Sequence, residues 1–178
     1  MVKRFNKLFL VLICIFSMII LSSCDSFLSE DEKIDSMIQN FIEKLETNEI
    51  SEIKKIFANG KVTDLEDFDK SIDELFEYYQ GTCVSRQLKT KGQERDKDYD
   101  YQASWYVISC DIVTTENSYR MFFYWCTEYT TNSEMIGIWS FYIIKSSDDT
   151  NPNISYGGDS LRTPGINIGK VYVRDETK

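Results

Sequence analysis

Apolar residues Ile34, Met37, Ile38, Phe41, Ile42 and Leu45 recur at the i, i+3, i+4, i+7 spacing of one helix face, and Ser29-x-x-Glu32 supplies a capping box ahead of them. A second, shorter helix is predicted over residues 49–58, with Asn48 as N-cap and Asn59-Gly60 as its stop. A third is predicted over 64–80. There Leu65, Phe68, Ile72, Leu75, Phe76 and Tyr79 form the apolar stripe, Thr63-x-x-Glu66 the capping box and Gly81 the end. Beyond Gly81 the period shortens to two. Residues 83–91 read as a strand, 92–100 as a long polar connection, and 103–114, 118–129 and 135–146 as three longer strands. Turn signals stand at Glu116-Asn117 and at Thr131-Asn132-Ser133, and short strand-like pieces follow at 166–168 and 171–173. Short turns between long strands specify antiparallel pairing, since parallel neighbours need a crossover. The fold class is therefore α+β: three N-terminal helices packed on an antiparallel sheet of four or more strands.

A two-residue turn at Glu116-Asn117 fixes which side chains share a face. Even positions before the turn join odd positions after it, because side chains alternate along a strand. One face then collects Tyr106, Ile108, Cys110, Ile112, Met121, Phe123 and Trp125, and is expected to pack on the helices. The other collects Trp105, Val107, Ser109, Asp111, Arg120, Tyr124, Cys126 and Glu128. Aromatic walls with a few polar groups are what a small-ligand site needs. The candidate ligand-binding residues are Trp105, Ser109, Asp111, Arg120, Tyr124 and Trp139. If the tail returns along the sheet, Tyr156 joins them, with Arg162 nearby.

The segment ahead of the helices has a different character. Lys3, Arg4 and Lys7 precede an apolar run over residues 8–21 that is broken only by Ser17, the size of a signal-peptide core and short for a spanning helix. The run ends in Leu21-Ser22-Ser23-Cys24, which resembles a bacterial lipobox. That resemblance implies a signal peptide over 1–23, lipid attachment at Cys24, a lipidated tether over 24–30 and one domain over 31–178. It places the protein on the extracytoplasmic face of the cell membrane, with the lipid anchor as its first partner. Two acyl chains, at about 0.8 kcal/mol per buried methylene, hold a protein on a bilayer far more firmly than one.

Composition narrows the chemistry. The 178 residues carry 20 Lys+Arg and 29 Asp+Glu, and no His. Without residues 1–23 the balance becomes 17 basic against 29 acidic residues, a net −12. Residues 25–80 hold 6 basic and 16 acidic residues, a net −10, so the acidity sits on the helices as a solvated face. Such a balance argues against nucleic acid as a partner. The absence of His removes the commonest general base and metal ligand, and neither a metal site nor a cofactor is expected. Cys83, Cys110 and Cys126 lack CxxC spacing, and the face assignment separates Cys110 from Cys126, so all three read as small apolar strand residues. The match of Asn153-Ile-Ser155 to a glycosylation sequon reads as chance, and Gly157-Gly158 as a turn.

The order of elements resembles the nuclear-transport-factor-two-like fold, a cystatin-like roll whose curved sheet wraps a long helix into a cone. More narrowly, Ile53-Lys-Lys-Ile-Phe57, Ile72-Asp-Glu-Leu-Phe-Glu-Tyr-Tyr-Gln-Gly81, Ser104-Trp-Tyr106, Tyr119-Arg-Met-Phe-Phe123 and Ile138-Trp-Ser-Phe-Tyr-Ile-Ile144 resemble an uncharacterised family of Gram-positive lipoproteins assigned to that fold. The resemblance implies a fold and an address, and no mechanism. The leading expectation is a non-catalytic module that binds a small or amphiphilic ligand, or a peptide, in an aromatic cone. One alternative is a protein-interaction module using the acidic helical face, or a homodimer through the sheet. The other is an isomerase-like or cyclase-like enzyme with Asp111 as base and Tyr124 as donor. Arg120, within diagonal reach of Asp111, weakens the enzyme reading, because a paired carboxylate is a poorer base.

Overall fold

The computed structural model describes residues 28–148 and 165–169. These fall into two units divided between Asn40 and Phe41, inside the first helix. The expected signal segment over 1–23, Cys24, the sequon match, Tyr156, Gly157-Gly158, Arg162 and the strand expected at 171–173 lie outside the described residues.

In the first unit, α1 (Glu30–Glu46) begins at the expected capping box. Ser29 N–H donates to Glu32 Oε2 at 2.7 Å, and Glu32 N–H returns a 3.3 Å bond to Ser29 Oγ. That exchange satisfies two of the helix's four orphan donors and draws the Glu32 carboxyl below its ordinary pKa.

The second unit holds the rest of α1, α2 (Ile50–Ile56), α3 (Phe68–Tyr78) and the strands β1 (Cys83–Lys97), β2 (Gln102–Thr114), β3 (Ser118–Tyr129), β4 (Gly137–Lys145) and β5 (Ile166–Ile168). The strands form one antiparallel sheet in chain order β1-β2-β3-β4-β5. The apolar face is the one that meets the helices. Phe41 and Phe57 pack against Phe141, and Phe41 against Phe123, with ring centroids 4.9–6.4 Å apart. Ile108, Cys110, Ile112, Tyr119 and Met121 are buried on the same side.

Several boundaries differ from the sequence expectation, each for a tertiary reason. Asn48 is not an N-cap: it takes φ 58, and α2 starts without any side-chain cap. The helix stops at Ile56 because Phe57 turns extended and forms a parallel bridge with Ile138, with Ala58 N–H donating to the Ile138 carbonyl at 3.0 Å. The third helix starts at Phe68, four residues later than expected. Thr63 Oγ1 accepts from Gly60 N–H and donates to Asn59 Oδ1, so it closes the preceding turn and makes no capping box with Glu66. At the other end Tyr79 is already extended, two residues before Gly81.

β1 runs 15 residues, and the stretch expected as a connection is its second half, paired through Lys97 with Gln102. This edge strand is exposed on most positions of both faces, so it carries no alternating apolar signal for a sequence to show. The fourth long strand begins at Gly137 because Ser133–Met135 form a 3-10 turn, capped by Asn132 Oδ1 accepting from Glu134 N–H.

Candidate functional site

Thr114 N–H bonds the Asn117 carbonyl at 2.8 Å, which makes Thr115-Glu116 the two-residue turn between β2 and β3. The register is displaced from the expected one by a whole residue pair, so parity survives. Tyr106, Ile108, Cys110 and Ile112 lie opposite Trp125, Phe123, Met121 and Tyr119, while Val107, Ser109 and Asp111 lie opposite Tyr124, Phe122 and Arg120. Past a bulge at Ser104/Trp105 the parity reverses. Glu128 therefore pairs with Ser104 and leaves the face that carries Trp105, contrary to the sequence assignment.

Three candidates come together on that face. The Trp105 and Tyr124 rings stack, 6.2 Å apart and 4° from parallel, and Trp139 stands nearly perpendicular to both, at 5.7 and 6.5 Å. Trp139 reaches them because it is the extra residue of a bulge on β4, between the pairs Tyr124↔Ser140 and Trp125↔Ile138. Regular pairing would set it opposite Trp125, on the helix side. Ala103, Cys126, Tyr101 and Tyr129 complete the cluster, with Tyr101 and Tyr129 stacked at 5.2 Å. The face is the one turned away from Phe41 and Phe57, so anything bound there would rest on the outer aromatic layer of the sheet.

Two further candidates form a separate polar corner. Asp111 and Arg120 are directly opposed across β2 and β3, and Arg120 Nε donates to Asp111 Oδ1 at 2.7 Å. Lys89, the extra residue of a bulge on β1, approaches Asp111 Oδ2 at 3.3 Å. Burial alone would raise the Asp111 pKa; the hydrogen bonds and charges of Arg120 and Lys89 outweigh it and hold the carboxyl below its ordinary value. A carboxylate held that way is a weak proton acceptor. Ser109 is buried two pairs further along, opposite Phe122. Phe122 stacks on Tyr142, 5.0 Å apart and at 7°, and the two cluster with Ile144, Val107 and Tyr124.

Sequence reasoning missed several members of the face. Phe122 and Tyr142 obey the same parity as Tyr124 and were within reach of it. Lys61, whose Nζ lies 5.0 Å from the Trp139 ring centroid, comes from the turn between α2 and α3 and left no sequence signal. Nor did Glu94, which accepts from Tyr124 O–H at 3.1 Å from the far side of β2.

Cys83, Cys110 and Cys126 are all free thiols, with Cys110 on the helix side and Cys126 in the aromatic cluster. Burial pushes the Cys110 and Cys126 thiols up to about 11. Among the described residues, no three His, Cys, Asp or Glu gather as a metal site, and no helix is long and apolar enough to cross a membrane.

Among the described residues, the fold and this face define an α+β protein with three α-helices, a five-stranded antiparallel sheet and an aromatic layer on the sheet. Residues 40–146 match the family described as Domain of unknown function (DUF5104), and the chain belongs to that family. No curated protein matches it.

Proposed function

We propose that the protein is an extracytoplasmic lipoprotein, anchored through Cys24, whose nuclear-transport-factor-two-like domain binds a small or amphiphilic molecule, or a peptide, on its aromatic sheet face. The observation that carries this reading is the perpendicular arrangement of Trp139 against the stacked Trp105 and Tyr124. Such walls grip an apolar body, and the Asp111–Arg120–Lys89 corner gives the same face a polar margin. The lowered Asp111 pKa supports a binding role over proton abstraction. Among helical residues, the acidic surface remains a second docking region, but no local geometry singles it out.

Native mass spectrometry of the chain purified without denaturation tests the reading. A co-purified molecule is expected, lost on Trp105→Ala and retained on Glu66→Gln. A ligand retained by Trp105→Ala and Trp139→Ala alike would place binding elsewhere. For the anchor, Cys24→Ala should move the protein from the membrane fraction to the soluble one, and a membrane-bound variant would refute lipidation at that residue.

A further inference from the structure

The two ends of the sheet are finished differently. On its outer side β4 is covered by β5, at Phe141, Tyr142 and Ile143, and by the bridge from Phe57 to Ile138. β1, 15 residues long, has no strand on its outer side among the described residues. A strand left that way offers a row of backbone donors and acceptors to another extended chain. Bulges interrupt its first half, at Val84 and Lys89, but residues 90–97 pair regularly with β2 and contain no proline.

Charge on this strand is sorted by face. Residues opposed across β1 and β2 share a face, so Arg86, Leu88, Lys91, Gln93, Arg95 and Lys97 stand on the helix side of the sheet. That row has four cations and no carboxylate, while Glu94 and Asp96 stand on the other side. The strand as a whole carries five basic and two acidic residues, in a chain whose net charge is −9. The row is also uncovered: Leu88 is 41% exposed, although Cys110 directly opposite is 1% exposed. The layer over β2 therefore stops short of β1, and Lys91, Arg95 and Lys97 are all exposed.

These features select among partners. A second copy added antiparallel about a two-fold axis would keep each face on its own side, setting cations against cations and carboxylates against carboxylates. A nucleic acid or an anionic bilayer, negative throughout, would meet Glu94 and Asp96 together with the cations. An added strand presents different side chains to the two faces. We propose that β1 is a docking edge for an extended acidic segment of another protein, which adds as a further strand and sets Asp or Glu at alternate positions against Lys91, Arg95 and Lys97. Main-chain bonds along residues 90–97 hold the segment, and the period-two spacing of its carboxylates gives selectivity. The same row that repels a copy of itself accepts the opposite pattern.

The test measures binding of dye-labelled peptides to the full chain by fluorescence anisotropy at low salt. The probe is a peptide of about ten residues that alternates glutamate and threonine. It is compared with a peptide of the same composition whose glutamates form one block, and with one that alternates lysine and threonine. The alternating acidic peptide should bind at least tenfold tighter than either, and more weakly as salt rises. N-methylation of every second residue should abolish binding in one phase and spare it in the other, because only alternate N–H groups of a strand face its neighbour. Lys91→Glu combined with Arg95→Glu, both at exposed positions, should turn the preference toward the lysine peptide. Equal binding of the alternating and blocked acidic peptides would mean charge attraction without strand addition and would overturn the proposal. Equal effects of the two methylation phases would do the same, as would failure of every peptide at concentrations up to about 1 mM. Those comparisons use the unaltered protein and hold even where the double variant fails to fold. Sedimentation of the chain alone addresses the other occupant: a dimer that the double variant loses would assign the edge to a second copy and overturn the acidic segment.

Discussion

Asp111 and Arg120 face each other directly across β2 and β3, joined by a 2.7 Å bond from Arg120 Nε to Asp111 Oδ1. A catalytic aspartate in an apolar setting would have a raised pKa; this one is lowered, because Arg120 and Lys89 favour its charged form more than burial opposes it. The pair also lies in the register next to the β2–β3 turn, which sorts the aromatic residues between that turn and the Ser104/Trp105 bulge onto one face or the other.

The pair's contribution to stability should follow pH with a definite sign. The native carboxyl is more acidic than the unfolded one. Its stabilisation is therefore complete above the unfolded value, about 3.9, and fades as pH falls through the native value. Asp111→Asn should cost about 1 kcal/mol at pH 7, since both side chains are partly exposed. Urea melts of the two proteins should converge toward pH 2, and a difference that grows on acidification would contradict the assignment.

Glu46 joins α1 to the start of the sheet. Its Oε1 accepts from Cys83 N–H at 2.6 Å and from Tyr79 O–H at 3.1 Å, and burial together with that carboxylate pushes the Tyr79 pKa up. Glu46→Ala strands both donors and should destabilise by about 2 kcal/mol. Hydrogen exchange at the Cys83 amide should accelerate accordingly, and unchanged protection would show that the bond contributes little.

Gly137 is where the chain leaving the second helix runs alongside β4. Its φ is +134, and an added Cβ would lie 2.7 Å from Ala58 N and 2.8 Å from Phe57 C. Gly137→Ala should lower the melting temperature, at a cost of about 1–3 kcal/mol. Gly92→Ala is the control: there a Cβ meets only Val107, at 3.7 Å or more, and the change should be close to neutral. Equal melting temperatures for the two variants would refute the steric account.

The thiols should differ in reactivity. Cys110 and Cys126 are buried with pKa values pushed up to about 11, whereas Cys83 is partly exposed. Alkylation at pH 8, resolved by site with mass spectrometry, should modify Cys83 at least tenfold faster than either. The gap should close in urea, and prompt labelling of Cys126 in the folded chain would mean that the aromatic cluster opens.

Local patterns in the chain determined much of this. The helical stripe through Phe41, the Ser29/Glu32 capping box, the alternation of β2 and β3 and the separation of Cys110 from Cys126 all follow from spacing, because neighbours along the chain fix them. The extent of β1, the ends of α2 and α3 and the company of Trp139 do not. β1 is specified by the partner it pairs with, and α2 ends where Phe57 bridges Ile138. One inserted residue on β4 carries Trp139 to Trp105 and Tyr124, and one on β3 takes Glu128 away from them. A bulge reverses every side chain beyond it and depends on pairing between distant segments, so its position is settled by packing. The sequence by itself therefore determined the class of elements and the parity of the central strands. Only the tertiary structure decided which rings meet, and that Lys61 stands over one of them.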